Sequence, residues 1–468
     1  MRTLIKNGRI VTAADDYIAD ILVEDGRIAA IGHNLAAENG LETHDASGLL
    51  VLPGGVDVHT HLDSESATSH TVDTFASGGK AAAFGGTTTV VDFCNQIRGG
   101  SLPASLEAWR KRAACTPIDV GAHMIIVDFG PSTAAEMERL MTEEGVTSFK
   151  LFTAYPGALM VDDGTLLQAM RAAGRHGGQI SVHCENGHII QMLVAEAVAA
   201  GNLAPRHHML TRPPVAEGEA TQRVIALAEV TGTPLYIVHL SARQSLEAVA
   251  GARRRGLAVH AETCTHYLFL TDGEYDRPGF EGAKFIMSPP LRAAEHVEAL
   301  WRGIAAGDLS AVSTDHCPYT FAAEPYGAKH SKRAGGEAFH KVPNGAPGIE
   351  ERMHVLYSGG VAAGRISPSR FVDLTATAPA KLFGLYPKKG TIAVGSDADL
   401  VLLDPEERWT IRAAGGHGRM DYTLFEGFEA TGRIKKVFLR GAMIVEGDTW
   451  HGREGGGQFI ARGPSGRM

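Results

Sequence analysis

The chain is short of the features that would direct it out of the cell or into a membrane. Of its 468 residues only five are cysteine: Cys94, Cys115, Cys184, Cys264 and Cys317. They are scattered, odd in number and form no C-x-x-C pair. That excludes a disulfide framework and fits free thiols in a reducing cytoplasm. No run approaches about 20 consecutive apolar residues, so no membrane span is expected. The opening stretch "MRTLIKNGRIVTAADD" lacks an apolar core long enough for a secretory leader. Positive charge is in deficit, with 44 Lys and Arg against 53 Asp and Glu for a net charge of −9. Neither nucleic acid nor an anionic membrane is therefore expected as a partner. Repeats of solenoid length and low-complexity tracts are absent too. Glycine is abundant, at 56 residues, and it clusters in turns, as a fold with many short strand–helix connections requires.

The length exceeds one average domain, though a single α/β barrel can occupy most of it. The first fifty residues look like short strands: "TLIKNGRIVT", "DILVEDGRIAAIG" and "LLVLPG", with a hairpin signal at Asp25-Gly26. The same texture returns in "GSDADLVLLD", "WTIRA" and "IKKVFLRGAMIVEGD". This predicts one small β-sandwich built from both termini, residues 1–52 and 388–450, with residues 53–387 inserted between them. The final stretch, 451–468, is rich in Gly and Arg and is expected as a surface tail.

The inserted region alternates short β-rich runs with helical segments. The runs are "VDVHTHL", "TTTVVDF", "VGAHMIIVD", "SFKLFT", "QISVHCE", "LYIVHLS", "LAVHAETC" and "LSAVSTDH". Between them, in "TLLQAMRAAGRHG", Leu166, Ala169, Met170 and Ala173 keep helical spacing. Eight Val- and Ile-rich strands, each followed by helix or loop, predict an α/β fold of the (β/α)8 type. Its active site would lie at the C-terminal ends of the strands.

Polar residues gather at that end. His59 and His61, one residue apart, point to one face of the first strand. Alone, such a pair is equally compatible with two histidines packed at a strand end. But Lys150 sits in the fourth strand, His183 ends the fifth, His239 the sixth and Asp315 the eighth. Six such residues at one rim predict a binuclear metal centre. Lys150 lies between Phe149 and Leu151, where an unpaired ammonium is costly. Burial lowers a lysine pKa, and a neutral amine can react with carbon dioxide to give an anionic carbamate. The alternative is a lysine that reaches past its neighbours to the rim.

The segments "VDVHTHLD", "AAFGGTTTVVDF", "SFKLFTAYPGALMVDD", "SVHCENG", "VHLS", "MSPPLR", "STDHCPY" and "PNGAPGIE" together resemble the dihydropyrimidinase and D-hydantoinase family, cyclic amide hydrolases of the amidohydrolase superfamily. The resemblance runs to about residue 450. It implies hydrolysis of cyclic ureides and imides, such as dihydropyrimidines and 5-substituted hydantoins, to N-carbamoyl amino acids. It also implies two zinc ions, for which imidazole and oxygen ligands are suited, although other divalent ions could substitute. His59, His61 and Asp315 would hold one ion, and His183 and His239 the other. Lys150, carboxylated on Nζ by CO2, would bridge them together with a hydroxide. Two divalent ions outweigh a carbamate, a carboxylate and a hydroxide, so the centre stays cationic and can polarise an amide. Asp315 would relay a proton to the leaving nitrogen, and Tyr155 would stabilise the oxyanion. Ser288 and Asn344 would hold the imide edge of the ring, largely through main-chain groups. A homotetramer is implied, with "HGRMDYTLFEG" as a contact segment.

Three alternatives are set against this reading. Dihydroorotases usually carry Arg shortly after H-x-H, where this chain has Leu62 and Asp63. Allantoinase is closer in chemistry, but "KLFTAYPG" favours the dihydropyrimidinase branch. A non-catalytic relative would have lost the ligands, and all six positions are filled here. Cys184 and Cys317 lie beside ligands and are expected to pack rather than react. His123, His260, His266, His207 and His208 lack a partner pattern and are expected to be structural. One departure stands out. The hydantoinase branch commonly follows this first motif with Met-Pro-Phe and glycines, whereas residues 64–70 here read "SESATSH". The expected consequence is a preference for small or polar ring substituents, with Phe152 and Leu159 left as apolar walls.

Overall fold

The computed structural model describes residues 2–36, 41–66 and 68–465. Its centre is a parallel eight-stranded sheet in chain order: Gly55–Thr60, Thr87–Cys94, Asp119–Ile125, Ser148–Phe152, Gln179–His183, Leu235–Ile237, Val259–Cys264 and Ala311–Ser313. These are the eight β-rich runs of the sequence. All their residues are buried, which is why they read as Val- and Ile-rich rather than alternating. A parallel bridge between Thr60 and His316 joins the two edges, so the sheet closes into a (β/α)8 barrel. Helices cover its outside. The helix Asp163–Arg175 buries Leu166, Ala169, Met170 and Ala173, the residues marked by spacing, and the Asp162 carboxylate caps it by accepting from Thr165 N at 2.7 Å. Gly86, at φ +76, makes the tight turn into the second barrel strand.

Both ends of the chain contribute to a separate nine-stranded sheet. Leu50–Pro53 pairs antiparallel with Leu400–Thr410, joining N-terminal strands to C-terminal ones. Asp25 and Gly26 both take positive φ, +49 and +81, and Glu24 pairs with Arg27. That is the two-residue hairpin expected of Asp-Gly. The sheet has its own core, in which Ile5, Ile21, Val51, Leu400, Leu402 and Phe438 meet.

The expectation of a surface tail at 451–468 is corrected, with residues 466–468 lying outside the described residues. Gln458 and Ile460 pair with Val120 at the N-terminal end of the barrel, at 2.9 and 2.8 Å. Arg462 is buried and donates to Phe383 O at 3.2 Å and Ser148 Oγ at 2.9 Å. The Thr147 and Ser465 hydroxyls meet at 2.7 Å. The N-terminal mouth of the barrel presents unpaired backbone groups, and this segment satisfies them.

Candidate metal centre

The sequence-marked residues converge at the opposite, C-terminal mouth. His59 is the penultimate residue of the first strand, Lys150 lies mid-way along the fourth and His183 closes the fifth. His61, His239 and Asp315 stand just beyond their strands. His239, Asp315 and Tyr155 have φ of +39, +48 and +66. A side chain in this left-handed region costs about 1–3 kcal/mol and persists only where the surroundings enforce it. Three such residues at one rim mark it as a site built against local preference.

Ligand-type atoms of His59, His61 and Asp315 all lie within 4.8 Å of one another. Asp315 Oδ1 is 3.1 Å from His59 Nε2 and 3.2 Å from His61 Nε2. The His59 contact is out of line for a hydrogen bond, and its buried Nε2 has no such partner. Beside this trio, His183 Nδ1 faces His239 Nε2 at 2.9 Å. The His59 and His239 rings, 5.2 Å apart, connect the two groups. Lys150 is fully buried, with Nζ 4.9 Å from the ring centroids of both Phe93 and Phe152.

Electrostatics suit these groups to a cation. Burial pushes His61, His183 and His239 below the ordinary histidine range, so their ring nitrogens keep lone pairs. Burial opposes the charged form of His59 as well, but Asp315 and Glu262 outweigh it and hold His59 up at about 9. Burial draws Lys150 down to about 8, against the pull of Asp315 and Glu262. A neutral amine is thus accessible near neutral pH. Nitrogen and oxygen donors with an orphaned imidazole fit a borderline ion such as zinc.

Two carboxylates that the sequence reading missed aim these histidines. Glu262 bonds His59 Nδ1 and also accepts from Tyr236 Oη at 3.1 Å and His239 N at 3.2 Å. Glu185 bonds His183 Nε2 at 2.8 Å and Arg212 Nη1 at 2.7 Å. Burial pushes Glu185 up, but Arg212 and His183 outweigh it and bring it to about 2. Each carboxylate accepts a hydrogen bond from one ring nitrogen and leaves the other nitrogen facing the site. An acidic residue inside the buried run "LAVHAETC", and another two places after His183, were the available signals.

Tyr155 is 5.3 Å from the His183 ring, centroid to centroid, and burial pushes its phenol to about 12, so it remains a donor. The buried Ser288 hydroxyl faces the Tyr155 phenol. The Asn344 carbonyl accepts from Cys317 Sγ at 3.8 Å. Burial raises both Cys184 and Cys317 to about 12, so neither is a ready thiolate. His123 and His208 are hydrogen-bonded inside the fold. Phe93, Ile125, Val127 and Phe152 form an apolar cluster, with Tyr155 and Leu159 against it. Glu65 is exposed, 3.9 Å from Lys329. Ala67 lies outside the described residues.

The Amidohydrolase family matches residues 50–444. A D-hydantoinase of Geobacillus stearothermophilus is 46% identical over 469 residues, covering 100% of this chain and 98% of its own. A D-hydantoinase of Streptomyces coelicolor is 46% identical over 98% of both chains. The crystal structure of a dihydropyrimidinase from Brevibacillus agri superposes with a TM-score of 0.97 at 43% identity, over 100% of each chain. Likeness of this extent, joined to a histidine- and carboxylate-lined barrel mouth, shows that the chain belongs to the amidohydrolase family, in its dihydropyrimidinase and hydantoinase branch.

Proposed function

We propose that this protein opens the ring of cyclic ureides and imides to N-carbamoyl amino acids at a two-zinc centre. That it is a cyclic amide hydrolase follows from its family. The observation that carries the finer reading is the convergence of His59, His61 and Asp315 beside the His183–His239 pair and the buried Lys150. His59, His61 and Asp315 would hold one zinc, and His183 and His239 the other. The neutral Lys150 amine would add through its lone pair to the carbon of CO2 and release a proton to solvent, and the carbamate so formed would supply an anionic two-oxygen ligand. Bound there, the zinc pair supplies Lewis acidity and a nucleophilic water at neutral pH. Asp315 takes the proton of the attacking water and passes it to the leaving ring nitrogen. Tyr155 donates to the carbonyl oxygen as charge develops on it. Ser288 and Asn344 hold the imide edge of the ring.

The short hydroxyl side chains of Ser64 and Ser66 favour small or polar ring substituents over bulky apolar ones. The five free thiols fit a cytoplasmic location, and no helix of the described residues is long and apolar enough to cross a membrane. We assign residues 1–52 and 388–450 to one domain and 53–387 to the barrel, and we infer a homotetramer. Helix Gly187–Ala199 buries only Gly187 and Ile190 and exposes Met192 and Val198, as an interface helix would. The test is metal analysis of the purified protein with a substrate panel of hydantoin, 5-substituted hydantoins, dihydrouracil, allantoin and dihydroorotate. Two zinc ions per subunit with turnover of hydantoins or dihydrouracil are expected. A protein without stoichiometric metal, or one that opens only allantoin or dihydroorotate, overturns the reading. A monomer by light scattering overturns the tetramer.

A further inference from the structure

Lys332 is fully buried away from the metal centre, and its ammonium meets backbone oxygens. It donates to the carbonyls of Ile286 at 2.7 Å, Pro343 at 2.8 Å and Gly345. An ammonium carries three hydrogens, so these three acceptors satisfy it with none to spare. The carbonyls come from two distant stretches of chain. Ile286 stands two residues before Ser288, and Pro343 and Gly345 flank Asn344. The stretches also touch directly, since Gly345 N donates to Ile286 O at 3.1 Å. The second stretch is pressed in turn on the loop that carries Asp315. A Cβ at Gly345, whose φ is +146, would lie 2.3 Å from Cys317 O, and Cys317 N donates to Ala346 O at 3.0 Å. The Lys332 ammonium therefore clamps both shelves at one spacing and holds them against the metal-ligand loop.

Burial draws the Lys332 amine down to about 7, so its charged form is a costly way to fill space. An apolar side chain of similar volume would avoid the desolvation penalty. What it could not do is hold three carbonyls from two loops at fixed distances. The ring of Tyr319 lies 5.7 Å from the ammonium, and its hydroxyl reaches Ser69 Oγ at 3.2 Å. The brace thus extends to the 64–70 loop, which follows the first barrel strand.

We infer that Lys332 is a positioning residue for substrate binding, one that sets the separation between the Ser288 and Asn344 shelves. The inference rests on the proposed substrate contacts of those two residues. Lys332 itself touches no reacting atom and no metal ligand, so its loss acts on binding geometry rather than on the chemical step.

The test uses the zinc-loaded enzyme, its Lys332→Met and Lys332→Gln variants, and hydantoin as the probe. Zinc content, KM, kcat and amide hydrogen exchange at Ile286, Met287 and Ser288 and at Asn344, Gly345 and Ala346 are measured. Lys332→Met should keep its zinc, raise KM about tenfold or more and leave kcat within about threefold, the pattern of lost binding rather than lost chemistry. Exchange should accelerate in both segments together. Lys332→Gln, which keeps two donors, should fall between. Should the Met variant not fold, the Gln variant carries the same criteria alone. Unchanged KM and exchange overturn the inference, as does a parallel loss of kcat, zinc and KM. In a separate arm, excess hydantoin is added to the wild-type enzyme. Absence of protection at both segments sinks the substrate contacts and the inference with them. Protection together with unaffected Lys332 variants sinks only the role of Lys332.

Discussion

At the N-terminal end of the barrel, Lys389 Nζ lies 2.5 Å from Asp119, 2.8 Å from Asp399 and 2.9 Å from Asp397, all four residues being buried. Arg440 bonds Asp119 from the other side. Cations and anions there are nearly matched, and the cluster is complete as it stands. At the C-terminal end, Asp315 and five nitrogen-bearing side chains, three of them imidazoles kept neutral by burial, point at one another. Both ends bury ionisable groups at comparable depth. The first is arranged as a fastener, with each charge answered by another charge of the chain. The second gathers the lone pairs of His61, His183 and His239 beside Asp315, a donor set suited to a metal ion. Burial of charge therefore does not identify the functional end. The residual electrostatic demand does.

The largest break in this comparison is expected from Lys150→Ala. It removes the group that would become the anionic bridge, and nearly all turnover and much of the bound zinc should be lost. A short carboxylate added to the variant should restore part of the metal binding. Wild-type turnover and metal content in Lys150→Ala would refute the bridge. At the other end, Lys389→Met leaves Asp397 and Asp399 without their cation while Asp119 keeps Arg440, at a cost of about 3–5 kcal/mol. A lowered urea midpoint with zinc stoichiometry and kcat intact is the expected result. Lost zinc would show that the two ends are not separable. The sign of the pH dependence sharpens this. Burial opposes the Lys389 charge, but Asp399, Asp119 and Asp397 outweigh it and raise the group above the ordinary lysine range. Its contribution is in full force below the unfolded value of about 10.4 and fades only as pH rises through the higher folded value. Stability lost by the variant should accordingly be constant from neutral pH up to about 9.

Tyr155→Phe probes the catalytic mouth more finely. It would remove the donor proposed to face developing charge, a loss of about 3–4 kcal/mol in the transition state. The loss should appear in kcat with zinc retained. Unchanged turnover would make Tyr155 a packing residue. The smallest effect belongs to the rim. Ser64→Met with Ser66→Phe adds apolar surface worth roughly 25 cal/mol per Å2 buried. The ratio of kcat/KM for 5-phenylhydantoin over hydantoin should rise by about a factor of ten. The wild type should prefer hydantoin or dihydrouracil, and a clear preference for 5-phenyl or 5-isobutyl hydantoin would refute the loop assignment.

The strands were legible because strands covered on both faces are written as contiguous β-branched runs, and position in the run tells which end a polar residue reaches. That is how His59, His183 and Asp315 could be placed at one mouth. Glu262 was not legible as a partner of His59, because the two are 203 residues apart and nothing local distinguishes a supporting carboxylate from any other. The left-handed backbone of Tyr155, His239 and Asp315 was equally hidden, since it is imposed by the closed barrel and runs against local preference. Residues 451–465 misled for a related reason. Gly and Arg read as solvent-facing, and Arg462 is buried only because the finished barrel offers it carbonyl oxygens.

The pairing of Leu50–Pro53 with Leu400–Thr410 has a consequence for biosynthesis. The two partners are roughly 350 residues apart, which at about 5–20 residues per second separates their emergence from the ribosome by about 20–70 s. Until the C-terminal partner arrives, Leu50–Pro53 lacks the strand that covers one of its edges in the finished sheet, and an uncovered edge is prone to pairing with a foreign chain. The N-terminal strands of this sheet thus leave the ribosome before the barrel, and the strands that complete it leave after the barrel.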